Sequence, residues 1–151
     1  MRILQSLAEL PALVGHEVAV SEWLTVTQEQ INQFADATGD HQWIHVDVEK
    51  AKAGPFGAPI AHGFLTLSLL PKFFETAFQI RDARMGVNYG LNRVRFTAPV
   101  PVGSRLRGHM KLLACEPIEN QGMQMTWQVT VEREGSEKPV CIAESLTRRY
   151  P

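Results

Sequence analysis

The segment that most limits what this chain can fold into runs from Phe64 to Phe78, FLTLSLLPKFFETAF. Wound as a helix, it spreads Phe64, Leu65, Leu67, Leu69, Leu70, Phe73, Phe74 and Phe78 over nearly its whole circumference. A helix that is apolar all round has to be covered all round. The uninterrupted part, Phe64 to Leu70, is far shorter than the roughly 20 apolar residues that a membrane-spanning helix needs. The spacing therefore predicts a buried helix that starts near His62 or Gly63. Pro71 lies well inside it and predicts a kink or a break.

The cover has to come from the C-terminal half of the chain, and from Met85 onward the period changes to two. Val94 and Phe96 alternate with Arg93 and Arg95. Leu106, Met110 and Leu112 alternate with Arg105, Arg107, His109 and Lys111. The clearest run is Met123, Met125, Trp127, Val129 and Val131, with polar residues between them. Such alternation is the mark of an antiparallel sheet with one buried and one wet face. Gly103, Glu119–Gly122 and Glu134–Pro139 read as turns, and Cys141 to Arg149 as a last, weaker strand. An apolar helix succeeded by antiparallel strands predicts an α+β fold, a sheet wrapped around the helix. One small sheet does not cover a helix on every side, so pairing of two chains, at least a dimer, is expected.

The first half reads as mostly helical and irregular. Thr27, with Gln30 three positions on, has the form of a capping box, and Ile31, Phe34 and Ala35 fall on one helical face. Gly39 is the natural stop. The stretch GDHQWIH is then expected as the loop that leaves this helix, with a short helical turn over Val48 to Ala53. Gly54, Pro55, Gly57 and Pro59 break regularity beyond it. No repeat, linker or low-complexity segment is visible, and the 151 residues suit one domain, 1–151, with a proper core.

A formal net charge of −1 gives no electrostatic case for nucleic acid or an anionic membrane as partner. The two cysteines, Cys115 and Cys141, show no metal-ligand spacing and read as small buried apolar residues. The N-terminal stretch, with Glu9 inside it, makes a poor signal peptide, so a cytoplasmic protein is expected.

Chemistry concentrates in TGDHQWIHVD, Thr38 to Asp47, and in the His62-Gly63 pair before the oily run. Asp40 and His45 stand five apart, near enough to converge on one small molecule, and carboxylate with imidazole is the usual equipment for moving protons near neutral pH. The plainer alternative is an Asp40 that bonds local backbone and a His45 that is merely buried. His41, His45, Asp47 and His62 offer enough donors for a metal, but no recognised ligand spacing is present, and no metal site is expected. Gly63 at a helix start could turn its N–H into a pocket as an oxyanion donor, or could simply relieve crowding. No nucleophile, phosphate-loop or dinucleotide motif occurs. Ser68 is expected to bond back within its helix. Arg93 and Arg95 are either ordinary solvated positions or a place to meet a phosphate.

The stretch FADATGDHQWIHVDVEKAKAGPFGAPIAHGFLTLSLLP resembles the hydratase motif of the MaoC-like, (R)-specific enoyl-CoA hydratases and dehydratases. Gly39-Asp40, Ile44-His45, Asp47, Pro59-Ile60, His62 and Gly63 match, and FTAPVPVGSRL, Phe96 to Leu106, resembles the strand, turn and strand next in the family's order. The likeness runs from about Thr25 to the last strand and extends to single-domain mycobacterial-type members and relatives of nodulation protein N. It implies a single hot-dog domain, an antiparallel sheet wrapped around a central apolar helix. It departs at Gln42-Trp43, where the family commonly has Asn-Pro. Gln42 can offer the same amide one methylene further out. Trp43 either packs on a neighbouring element or narrows the acyl pocket.

The resemblance implies reversible addition of water to a trans-2-enoyl thioester, giving the (R)-3-hydroxyacyl thioester. Asp40 and His45 would activate the water, and Gly63 would hold the thioester oxygen. Gln42, Trp43, His62 and Arg93 would contact substrate. The implied partners are an acyl-CoA or acyl carrier protein thioester and a second copy of the chain, with no metal or redox cofactor. The alternatives are a hot-dog acyl-CoA thioesterase and a non-catalytic acyl-thioester binding or partner subunit.

Overall fold

The computed structural model describes every residue, Met1–Pro151. Helix α1, Gln28–Thr38, begins and ends where its caps predict. Thr27 Oγ1 accepts the Gln30 N–H at 3.1 Å, Ile31 and Ala35 are buried, and Gly39 closes the helix with a left-handed backbone, φ 82°. A single turn, α2, Trp43–Val46, then forms where a loop was expected, and α3, Val48–Lys52, comes next, capped by Asp47.

The central helix is broken, as Pro71 predicts. Its pieces are α4, Gly63–Ser68, and α5, Leu70–Ala77, which meet at Leu69. Pro71 occupies the first turn of α5, where a missing N–H breaks no helical bond. Leu65, Thr66, Leu69, Leu70, Phe73, Phe74 and Ala77 face inward and are buried. The expectation of burial all round needs correcting for the single chain. Phe64 is 67% exposed, and Ser68, Pro71, Lys72 and Glu75 are exposed along the same outward side. Ser68 does bond back, its hydroxyl donating to the Phe64 carbonyl at 2.7 Å.

The long strands form the predicted antiparallel sheet. They are β5, Met85–Arg95; β6, Arg105–Pro117; β7, Met123–Arg133; and β8, Cys141–Tyr150. Two short strands from the first half, β2, Glu17–Val20, and β3, Leu24–Thr25, both pair with β6, so the order is β2-β6-β7-β8-β5 with β3 beside β6. Reading the first half as helical and irregular missed these. It also missed β1, Arg2–Leu4, which pairs in parallel with β4, Phe78–Ile80, just past the helix. The inner face of the sheet wraps the helix in the hot-dog arrangement. Trp127 is 1% exposed, with Phe74 edge-on at 5.4 Å and Phe78 tilted at 5.3 Å between ring centroids. Its indole N–H donates to Thr147 Oγ1 at 3.1 Å. At Gly108 a Cβ would stand 3.1 Å from the Phe73 Cβ, so the missing side chain lets the helix approach the sheet.

Strand β5 is the edge of the sheet, and it departs from simple alternation: Val94 alone among its residues is partly covered. The other expected turns stand where composition put them, with Gly103 and Gly135 both at positive φ. Both cysteines are free; Cys141 is buried, and burial pushes its thiol up to about 11, while Cys115 is only half-buried. No helix is long and apolar enough to cross a membrane.

Candidate active site

The two histidine-bearing stretches are stitched together through one residue, Ile60. Its N–H donates to the Ile44 carbonyl at 3.0 Å, and its own carbonyl accepts the His45 Nδ1–H at 2.7 Å. The Pro59–Ala61 segment is held in turn from behind. Ala61 N–H donates to Val100 O, and Val102 N–H to Pro59 O, both at 2.8 Å. From the other side Gln28, at the start of α1, donates its amide N–H to the His45 carbonyl at 2.8 Å. The turn that carries His45 is therefore fixed by three elements distant in sequence.

These bonds set the tautomer. A carbonyl only accepts, so His45 carries its proton on Nδ1, and Nε2 is left with a free lone pair. Burial holds this imidazole below its ordinary 6.5, and the Ile60 bond and the Asp40 charge pull it partly back. Asp40 comes directly after the αL residue Gly39 and is exposed. Its Oδ1 accepts the Gln42 N–H at 3.3 Å, a local turn that aims the carboxylate. Both plain readings of Asp40 and His45 thus hold as geometry, and they do not exclude chemistry. Ligating atoms of Asp40, His45 and His62 lie within 4.8 Å of one another. Two hydrogen bonds of about 2.8 Å meeting at a tetrahedral oxygen span about 4.6 Å, so a carboxylate and an imidazole at this spacing can share one water.

The same three groups are the only metal-like cluster. His45 and His62 are stacked, with centroids 3.8 Å apart and planes 24° apart. Stacked rings send their in-plane lone pairs out nearly parallel, and an ion cannot lie in both ring planes. The arrangement suits proton transfer better than tetrahedral ligation. His41 points elsewhere and pairs with exposed Asp36 at 2.9 Å, while Asp47 Oδ1 accepts the Lys50 N–H at 3.0 Å.

Gly63 is the first residue of α4, and its N–H has no acceptor in the protein. One side of it is closed by Phe96: a Cβ on Gly63 would stand 2.6 Å from that ring. Beyond lies an apolar cavity of about 360 Å³ lined by Phe56, Ile60, Thr66, Phe96, Val100 and Val140 among others. Two of the residues expected at the substrate are engaged within the chain. His62 is 2% exposed, and its Nε2–H donates to the Asp40 carbonyl at 2.9 Å. The Trp43 ring lies against Gly54 and under the Lys50 ammonium, 4.7 Å from the ring centroid, so it packs on a neighbouring element. Gln42 and Arg93 are exposed, and neither side chain has a partner.

Comparisons with known proteins give the family. A family model described as "MaoC like domain" matches residues 9–134. The chain belongs to the MaoC-like domain family. This MaoC-like protein is 55% identical over 148 residues to the 3-hydroxyacyl-thioester dehydratase Z of Mycobacterium tuberculosis, covering 98% of each chain. It is 49% identical over 144 residues to nodulation protein N of Rhizobium leguminosarum, covering 94% of this chain and 89% of the relative. Among solved structures, the unliganded R-hydratase PhaJ1 of Pseudomonas aeruginosa superposes with a TM-score of 0.69 at 23% identity, covering 91% of this chain and 81% of that one. That last likeness bears on the fold.

Nothing in the sequence pattern tied Gln28, Phe34, Ile60 or Phe96 of the MaoC-like protein to the site. Each contacts it through backbone, amide or ring from far along the chain. Phe34 and Phe96 read as positions on apolar faces, and Ile60 and Phe96 as part of the stretches that carry the family resemblance.

Proposed function

We propose that this MaoC-like protein is an (R)-specific enoyl-CoA hydratase, acting in the reverse direction as a 3-hydroxyacyl-thioester dehydratase. The observation that carries the reading is the approach of the Asp40 carboxylate to His45, whose bond to Ile60 leaves Nε2 free. Asp40 and His45 together hold one water on one face of the C2=C3 bond. As its oxygen bonds to C3, the pair accepts a proton, the π electrons move toward the thioester carbonyl, and the enolate oxygen is held by the Gly63 N–H. The proton then returns to C2. Atoms and charge balance without a metal or redox partner. The activity named for the 55%-identical relative supports the reaction class. The cavity against Gly63 suits an apolar arm of the thioester. Exposed Arg93 would meet the CoA phosphates, and Gln42 would offer its amide at the rim. The test is to give the purified protein a series of trans-2-enoyl-CoAs and monitor loss of the enoyl-thioester absorbance together with free thiol. Hydration with no thiol release is expected. Thiol release would make it a thioesterase, and binding without turnover a partner subunit.

His45 imposes a pH dependence. It must be neutral to accept a proton, and burial places its folded value below 6.5. The kcat/KM should therefore fall toward acid with its midpoint below pH 6.5. Since the unfolded chain takes up this proton first, stability should fall over the same acid window. An acid limb above 6.5 in the kcat/KM profile would contradict the assignment.

We also propose that the active form is a homodimer. Edge strand β5 leaves its backbone groups open beside exposed Met85, Val87, Tyr89 and Leu91, and the outward helix face carries Phe64. A long apolar edge is a pairing surface. Sedimentation at micromolar concentration should give a dimer; an active monomer would contradict this.

A further inference from the structure

We infer that His62 is a positioning residue, one side chain that holds the Asp40 main chain, backs the His45 ring and ties both to the start of α4. The inference rests on the hydratase reading for its kinetic consequences. The contacts are specific. Nε2–H donates to the Asp40 carbonyl at 2.9 Å across 22 residues of sequence. One face of the ring stacks on His45, centroids 3.8 Å apart, and Phe34 lies against it at 4.9 Å. The His62 carbonyl accepts the Leu65 and Thr66 N–H groups at 3.0 and 3.2 Å, so the first turn of α4, with the Gly63 N–H, hangs from the same residue.

The chemistry of the ring separates this role from filling space. Donation to a carbonyl puts the proton on Nε2, so Nδ1 is a bare acceptor. That Nδ1 is buried and has no partner. A buried polar atom without a partner costs stability, and phenylalanine would fill the same volume without that cost. An imidazole kept here at a cost points to the one thing phenylalanine cannot supply, the bond to the Asp40 carbonyl. Asp40 itself is exposed, on the residue after a helix-ending glycine, and its other bonds are local and long, its N–H to Thr38 Oγ1 at 3.4 Å and the Gln42 N–H to its Oδ1 at 3.3 Å, so the His62 bond is the one that ties it to a distant element. Loss of the bond lets the carboxylate drift relative to His45, and misplacement of about 1 Å costs on the order of 10²-fold in rate.

Three variants test it: His62→Phe keeps the ring and removes the donor, His62→Gln keeps an N–H at the Nε2 position, and His62→Met keeps bulk alone. For His62→Phe, kcat should fall about 10- to 100-fold with KM within about threefold, the pattern of lost transition-state positioning. His62→Gln should recover to within about tenfold of the parent, and His62→Met should not. The Asp40 main-chain resonances, read by NMR on labelled protein, should shift in His62→Phe, because its carbonyl loses the Nε2–H donor, and His62→Gln should restore them. A folded His62→Phe with parental kcat overturns the inference, as does a loss confined to KM, which would make His62 a substrate ligand. If His62→Phe does not fold, a Gln variant no better than Met overturns it. Should the parent hydrate no enoyl thioester, the functional reading fails instead. The Asp40 resonances then decide this inference alone: if they are unmoved in His62→Phe, they overturn it.

Discussion

Asp40→Asn should lower the hydration rate by about 10²–10⁴-fold while leaving the fold unchanged, the usual worth of a well-placed acid–base group. Asparagine keeps an oxygen for the Gln42 N–H, so the local turn survives and only the proton-accepting charge is lost. The matching change at the imidazole is His45→Asn. Its amide N–H can take over the donation from Nδ1 to the Ile60 carbonyl, and the base at Nε2 disappears. This loss should be of the same order, about 10²–10⁴-fold. The double variant should be little worse than either single one, because both groups act on the same water. Steady-state kinetics and thermal melting on the same samples check all three. Additive losses, or Asp40→Asn with most of its activity, would break the pairing.

Gly63→Pro should cost about 10²–10³-fold more in kcat/KM than Gly63→Ala, the typical worth of one oxyanion donor. Alanine alone is a poor probe here, since its Cβ would meet the Phe96 ring at 2.6 Å rather than a substrate oxygen. Both variants suffer that contact, which an exposed Phe96 can relieve by turning. They differ in the N–H. Proline suits the first position of a helix, and His62 already has the extended backbone, φ −59° and ψ 138°, that a residue before proline adopts. The comparison therefore removes the donor with little further disturbance of the helix start. Equal kcat/KM in the two variants would leave Gly63 a spacer.

Much of this was legible before any fold was in hand. Thr27 and Gly39 bounded α1 because each supplies something the helix end needs, an acceptor and a left-handed residue. Met125, Trp127, Val129 and Val131 gave the inward face of β7 because period two leaves no choice of side. Pro71 marked the break in the central helix. The turn α2 and strands β1 to β4 were not legible, since two to four residues are too few to establish a period. The apolar circumference of the helix told that it must be covered, but not by which chain. Phe64 is the residue where that difference shows. At the site, sequence spacing set Asp40 near His45 without deciding whether they meet. They are brought together by the Ile60 main chain and the His62 ring, and a backbone carbonyl has no signature in a sequence.

The most direct test of the account is the stereochemistry of hydration in deuterium oxide. Asp40 and His45 stand within 4.8 Å of each other, so one water and the proton it yields serve one face of the double bond. Crotonyl-CoA hydrated by this protein in deuterium oxide should give (R)-3-hydroxybutyryl-CoA as one diastereomer, with deuterium at C2 added syn to the hydroxyl. Anti addition, or deuterium scrambled between both C2 positions in the initial product, would contradict a single Asp40–His45 water, and an (S) hydroxyl would contradict the (R)-specific reading.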